Sequence, residues 1–175
     1  MKKIPVLIQL AVILVLFINC SNRNTMDITI TSNAFANDSL IPSRYTCDGA
    51  NVSPQLSWTN GPENTKSYAL ICDDPDAPSK TWVHWLVFNI PAETNSIDEG
   101  AASIAGAQYG KNDFGNTNYG GPCPPSGTHH YHFKIYALNC MLPLKNGATK
   151  KEIEDAMNGH IQAQGELVGL YSRKK

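Results

Sequence analysis

With 175 residues the chain has room for one domain, and 42% hydrophobic residues give that domain a core to bury, which excludes a disordered body. The formal net charge is −1 and no basic cluster occurs outside Arg173-Lys174-Lys175, so nucleic acid is not an expected partner. Thirteen Gly and eleven Pro call for many turns, and hence for short strands rather than a helical bundle.

Residues 1–19 read as a signal peptide. Lys2 and Lys3 form a basic n-region, and Ile4 to Ile18 form an apolar stretch broken only by Pro5 and Gln9, shorter than a spanning helix needs. It runs into Phe17-Ile18-Asn19-Cys20, which resembles the acceptor of a bacterial lipoprotein, although Leu and a small residue usually stand where Phe17 and Asn19 do. Cys20 is therefore the expected lipidation site and residues 20–26 a lipidated tether. The expected location is a bacterial cell envelope, anchored in a membrane and facing the periplasm or the exterior. Cleavage before Cys20 would leave 156 residues with 12 bases against 15 acids, a balance of −3. The other cysteines, Cys47, Cys72, Cys123 and Cys140, permit two disulfides in three connectivities. None forms a C-x-x-C pair, so neither a zinc ribbon nor a thioredoxin-type site has support.

The folded body spans 27–175. Asp27-Ile28-Thr29-Ile30-Thr31 alternates with period two, and turn chemistry follows through Asn37-Asp38, Pro42-Ser43 and Asp48-Gly49. Leu56-Ser57-Trp58 is a brief extended piece. Ser67 to Cys72 predicts a buried strand stopped by Asp73-Asp74-Pro75-Asp76-Ala77-Pro78. Trp82 to Ile90 is apolar on both faces and predicts a central strand with a layer packed on each side. Residues 92–128, rich in Gly, Asn, Pro and Ser, predict a long functional loop with little regular structure. His130 to Leu138 predicts a second long strand. Thr149-Lys150-Lys151-Glu152 is a capping box, followed by Ile153, Ala156, Met157 and Ile161 at helical spacing, and Glu166 to Ser172 reads as a last strand. The economical architecture is mostly β: two antiparallel sheets with one or two peripheral helices near the C-terminus.

Polar residues inside apolar strands mark the candidate site. Period two places His84 with Trp82, Leu86, Phe88 and Ile90, and His129 with Tyr131, Phe133 and Ile135, leaving His130, His132 and Lys134 on a wetter face. Asp74 and Asp76, two apart on a Pro-stiffened turn, are expected to point one way. A carboxylate beside an imidazole orients its tautomer and favours the imidazolium. Two such rings, a Tyr hydroxyl and the backbone N–H groups of a Gly-rich loop, here Tyr119 to Gly127, form an oxyanion receptor without Lys or Arg.

Asp73-Asp74-Pro75-Asp76-Ala77-Pro78, Trp82-Val83-His84-Trp85, Gly120-Gly121-Pro122-Cys123-Pro124-Pro125-Ser126-Gly127-Thr128-His129-His130-Tyr131 and Gly165-Glu166-Leu167-Val168-Gly169 together resemble the phosphatidylethanolamine-binding protein family, in particular its bacterial, Raf kinase inhibitor-like branch. The resemblance covers about residues 27–173. It implies a Greek-key β-sandwich with a small pocket at one end for phosphate, acetate or a phospholipid head group. The implied ligand-binding residues are Asp74, Asp76, His84, Gly121, Pro124, His129 and Tyr131. It also places Cys47 and Cys123 in loops at the pocket mouth, so a Cys47–Cys123 disulfide is expected. Family members bind head groups or phosphate, regulate kinases or inhibit proteases, without an established catalytic cycle. The family usually has Arg where this chain has His130, which puts an ion pair with Asp76 in doubt, and kinase inhibition is not carried over.

The expected partners are thus a small anion, phosphate or a phospholipid head group, a membrane through the lipid anchor, and an unspecified protein partner; no cofactor or metal is expected. A protein-interaction module, such as a protease inhibitor or signalling regulator, is the alternative. A hydrolase would need Asp74 with His84 or His129 as a base dyad and Ser126 or Thr128 as nucleophile, but no Gly-x-Ser-x-Gly elbow is present. A metal at His84, His129 and Asp74 has chemically suitable ligands without diagnostic spacing.

Overall fold

The computed structural model describes residues 26–173, so the expected signal peptide, Cys20 and nearly all of the tether lie outside the described residues. The elements in chain order are β1 (Met26–Asp27), β2 (Ile30–Thr31), β3 (Ser39–Leu40), a 3-10 turn (Ser43–Tyr45), β4 (Leu56–Trp58), β5 (Ser67–Asp74), β6 (Trp82–Pro91), β7 (Ser96–Ile97), β8 (Gln108–Tyr109), β9 (His129–Leu138), α1 (Lys150–Met157) and β10 (Ile161–Tyr171).

Two sheets form. The larger runs β1-β10-β9-β5-β6-β8 with β3 also on β10, and the smaller is β2-β4-β7. In the larger sheet β5 lies between β6 and the much later β9, which requires the long crossover of a Greek key. One core lies between the sheets and contains Ile30, Leu56, Trp58, Tyr68, Trp85, Phe133, Ile135 and Leu167. A second core covers the opposite face of the larger sheet, where Ile71, Leu86, Phe88 and Leu138 meet Ile153 and Met157 of α1. Strand β6 is buried from Val83 to Ile90 because both cores press on it. This is the two-sided packing that its apolar faces predict.

Several expectations need correction. The sheets are not wholly antiparallel: β1 and β3 both pair with β10 in parallel, Met26 opposite Ala163 and Ser39 opposite Gly169. The chain advances along one edge of β10 and leaves it between the two contacts to contribute β2 to the other sheet. Gly165 and Gly169 permit that close passage. A Cβ on Gly165 would stand 1.9 Å from the Ile28 carbonyl oxygen, and one on Gly169 would stand 2.5 Å from Ile41.

The helix stops at Met157 instead of continuing to Ile161. Gly159 adopts φ +80°, and Ile161 already opposes Leu138 as the first residue of β10. That strand starts five residues before Glu166, because pairing with β9 carries a stretch whose Gln162 and Gln164 weaken the apolar pattern. The capping box itself forms, with the Thr149 N–H donating to the Glu152 carboxylate at 2.8 Å and the Glu152 N–H donating to Thr149 Oγ1 at 3.3 Å.

Period two also fails along β6. Cys72 opposes Trp85 while Asp73 opposes Val83, leaving His84 as an extra residue in a bulge; a second irregularity lies near Asn89, at φ 55°. Val83, Leu86 and Phe88 consequently face α1, whereas Trp85, Val87 and Ile90 face the small sheet. His84, whose ring packs on Tyr131, is separated from Leu86 and Phe88, with which simple alternation grouped it.

Candidate functional site

The bulge at His84 and the start of β9 open one end of the larger sheet into a cavity of about 200 Å³. Its polar floor is Asp74, at the end of β5, His84 of β6, and His129 and Tyr131 of β9. Its walls are apolar: Pro78 and Trp82 on one side, Pro124 and Pro125 on another, and Phe114 from the long loop.

Asp74 and His129 form a buried pair, with 2.7 Å between Asp74 Oδ2 and His129 Nδ1 and side-chain exposures of 5% and 8%. The other Asp74 oxygen accepts the Asp76 backbone N–H at 2.8 Å. Asp74 therefore fixes the His129 ring so that Nδ1–H points at the carboxylate and Nε2 is free for a ligand. When the ring is charged, Nε2–H is a donor.

His84 differs from its expected role. Its Nδ1 lies 2.6 Å from the Gly120 carbonyl oxygen, an atom that only accepts, so Nδ1 carries the hydrogen. Burial lowers the ring's pKa below the usual histidine value, and the Gly120 bond and the Asp74, Asp73 and Asp113 charges oppose this only in part. Of the two rings expected to donate as imidazolium, His84 is the one whose charged form burial disfavours, and in its neutral form Nε2 carries an acceptor lone pair.

Tyr131 is buried, and its hydroxyl has no hydrogen-bond partner among the described residues. Burial pushes the phenol well above its usual pKa, the Asp74 charge adds to the shift, and the Cys123 N–H approaches without forming a well-made bond. The hydroxyl thus keeps its proton and remains available to donate. Its ring meets His84 edge-on, with 5.1 Å between centroids.

Sequence reasoning overlooked the loop that covers His84. Phe114 packs edge-on against Trp82 at 5.6 Å and His84 at 5.4 Å while keeping 43% of its own surface exposed. Gly120 makes room for it, since a Cβ there would come within 2.5 Å of the Phe114 ring. Buried Asn112 organises this loop. Its Nδ2 donates to the carbonyls of His84 and Asn118, and its Oδ1 accepts from the N–H groups of Phe114 and Asn116. The only sequence signal was the Asn/Gly richness of the segment, which does not say which Asn is buried.

Two expected ligand residues stand outside the cavity. The Asp74–Asp76 backbone bond turns Asp76 outward, where its carboxylate accepts from the His130 N–H at 2.8 Å and from His130 Nδ1 at 2.7 Å. His130 therefore supplies the partner that the absence of Arg had put in doubt, and this contact holds the Asp76 carboxyl below its usual pKa. Gly121 serves the loop backbone. Its N–H donates to Asn51 Oδ1 at 2.8 Å, and a Cβ would come within 2.4 Å of the Tyr45 carbonyl oxygen. Pro124 lines the wall. Cys47 and Cys123 are joined by a disulfide that pins this wall, while Cys72 and Cys140 are free thiols.

Ser126 and Thr128 are exposed and are not among the residues that line the cavity. Among the described residues, no group of three or more His, Cys, Asp and Glu side chains is placed to hold a metal ion. A larger hollow of about 370 Å³ opens between Asn51, Trp85 and Tyr119, but its only titratable lining groups are the phenols of Tyr109 and Tyr119. The smaller cavity, with its carboxylate, imidazoles and orphan hydroxyl, is the better candidate.

This fold, with an Asp/His/Tyr cavity at one end of its larger sheet, defines a phosphatidylethanolamine-binding protein-like sandwich. The phosphatidylethanolamine-binding protein model matches residues 31–172, and the chain belongs to that family. The UPF0098 proteins of Methanothermobacter thermautotrophicus and Pyrococcus abyssi are 49% and 46% identical to it, over 82% and 96% of this chain and 98% of each relative. Among solved structures, a phosphatidylethanolamine-binding protein homologue of Chlamydia trachomatis superposes with a TM-score of 0.80 at 39% identity, covering 85% of this chain and 99% of that one. Escherichia coli YbcL, described as a member of the mammalian family, gives 0.79 at 34% identity over 85% and 99%.

Proposed function

We propose that this protein is an exported, lipid-anchored binder that holds a small oxyanion, phosphate or a phospholipid head group, in the Asp74/His84/His129/Tyr131 cavity. The observation that carries the reading is the Tyr131 hydroxyl. It is buried without a partner, a state that costs about 1–3 kcal/mol, and it lies in one cavity with the Asp74-oriented His129 ring. A ligand oxygen would satisfy the hydroxyl and draw a charge-assisted bond from His129. The cavity walls suit a short apolar or zwitterionic substituent on the anion.

The site favours binding over catalysis. It contains no Ser, Thr or thiol nucleophile beside the His129 base, and its one hydroxyl, on Tyr131, is held in the protonated state by burial. Native mass spectrometry of the purified protein, followed by calorimetric titration with inorganic phosphate and phosphoethanolamine, tests the reading. Co-purifying phosphate or head-group mass and saturable 1:1 binding are expected. Failure of both anions to bind at every pH between 5 and 8 would overturn it in favour of a protein-interaction module.

A further inference from the structure

We propose that the cavity is presented away from the membrane that holds the protein's anchor, so that its oxyanion ligand arrives from the aqueous compartment or from a facing membrane rather than from the anchoring leaflet. This rests on the lipid-anchor part of the proposed function and adds the side from which the ligand comes. The anion chemistry of the cavity is untouched by it: free phosphate, phosphomonoesters and diester head groups all remain ligands.

The two ends of the larger sheet carry the inference. Asp74 ends β5, Trp82 begins β6 and His129 begins β9, so the cavity lies at one end of these three strands. The chain enters the sheet at the other end. Met26, the first residue of β1, opposes Ala163 of β10, and Ala163 opposes Ala137 of β9. From Ala137 back to His129 is eight residues, which at about 3.3 Å per residue is roughly 26 Å. Being parallel to β10, β1 runs from that far end toward the cavity end, where Tyr171 opposes His129. The sideways offset adds to the separation. β1 stands at the edge of the order β1-β10-β9-β5-β6-β8, four strands from the β6 that carries His84, or about 19 Å at about 4.8 Å per strand.

The tether is too short to offset this. Cys20 is six residues before Met26. Six fully extended residues reach about 22 Å at most, and a flexible chain of that length averages about 13 Å. With the sheet upright and the cavity facing the anchoring leaflet, Met26 would stand at least about 26 Å above it, beyond the reach of the extended chain. A tilted body brings the mouth to that leaflet only with the tether drawn nearly taut, which costs conformational entropy. With the tether relaxed, the end of the sheet where β1 begins lies nearest the lipid. The mouth, lined by Trp82, Phe114 and Pro125, then opens away from it.

The test uses the mature, lipidated protein reconstituted in vesicles of phosphatidylethanolamine and phosphatidylglycerol. A fluorescent amino acid replaces either Ser126, exposed at the cavity end, or Lys66, exposed and bonded through its N–H to the Leu138 carbonyl at the far end. Energy transfer to an acceptor lipid is expected to be stronger from position 66 than from position 126. Inserting about twenty Gly/Ser residues between Thr25 and Met26 should abolish the difference. Calorimetric titration with phosphoethanolamine should give the vesicle-bound protein and soluble Cys20→Ser protein the same affinity within about twofold, because the anchoring leaflet does not compete. Adding protein-free phosphatidylethanolamine vesicles separates the two sources: competition points to a facing membrane, and its absence to a soluble anion. Stronger transfer from position 126 on the native tether, or an affinity on vesicles at least about tenfold below that in solution, would overturn the proposal. Failure of both forms to bind phosphoethanolamine would remove the anion reading, while the order of the two transfer efficiencies would still uphold or overturn the orientation. A wild-type protein without an acyl chain would remove the anchor and this inference with it.

Discussion

The two pocket histidines show how neighbours one bond away assign different chemistry to the same side chain. His129 faces a carboxylate and His84 faces a carbonyl. The first contact fixes the orientation of the His129 ring through Nδ1; at His84 burial disfavours the charged form in spite of the Gly120 contact. This has a consequence for stability. The unfolded chain protonates its His84 near the usual value of about 6.5, whereas the folded state resists until a lower pH. Between those values the unfolded state binds more protons, so the His84 contribution is fully present above about 6.5 and is lost as pH falls toward the folded value. His84→Gln should flatten that part of the profile, measured as the change in urea midpoint between pH 7.5 and pH 5.5 relative to wild type. An unchanged slope would show that the ring is not held neutral. Sequence periodicity placed His129 and Tyr131 together because β9 is regular where it counts. It misassigned the company of His84 because a bulge is set by the partner strand, Cys72 opposite Trp85 and Asp73 opposite Val83, and leaves no mark in local alternation.

At the scale of elements, the pocket wall from Cys123 to Pro125 has little regular structure and is tied down mainly by covalent and backbone links. Cys47 bonds to Cys123 across 76 residues, and the Cys47 N–H donates to the Pro122 carbonyl at 3.0 Å. Closing a loop of that size stabilises by about 4 kcal/mol on the chain-entropy model. The double variant Cys47→Ser/Cys123→Ser should lose that order of stability in denaturant unfolding, whereas Cys140→Ser, at a free thiol, should stay within about 0.5 kcal/mol of wild type. Equal stability of the two variants would contradict the bridge. The helix behaves comparably: its start was readable from Thr149 to Glu152, because capping is a local contact. Its end was not, because Ile161 belongs to a strand defined only by pairing with Leu138.

Across the whole molecule, the sandwich brings β5, β6 and β9, separated by up to 55 residues between Asp74 and His129, into one floor, while a loop without regular structure supplies the roof. The motif residues made the floor readable in advance. The roof was not, since which Asn of residues 112–121 is buried, and that Phe114 lies over His84, depend on contacts with β6. The proposed anchor is a separate question of the chain's N-terminal region: Cys20→Ser is expected to lose acyl mass and to move from the membrane to the soluble envelope fraction, and a wild-type N-terminus without acyl mass would contradict the anchor. The central claim, an oxyanion satisfied by the cavity floor, is tested most directly by Tyr131→Phe. The substitution removes a buried hydroxyl that has no partner in the free protein, so unfolding stability should be unchanged or higher than wild type. A hydrogen bond to a charged ligand is worth about 1.5–3 kcal/mol, so the affinity for phosphate, measured by calorimetry at pH 6, should fall by at least about tenfold. Wild-type affinity in the folded Tyr131→Phe protein would contradict the account.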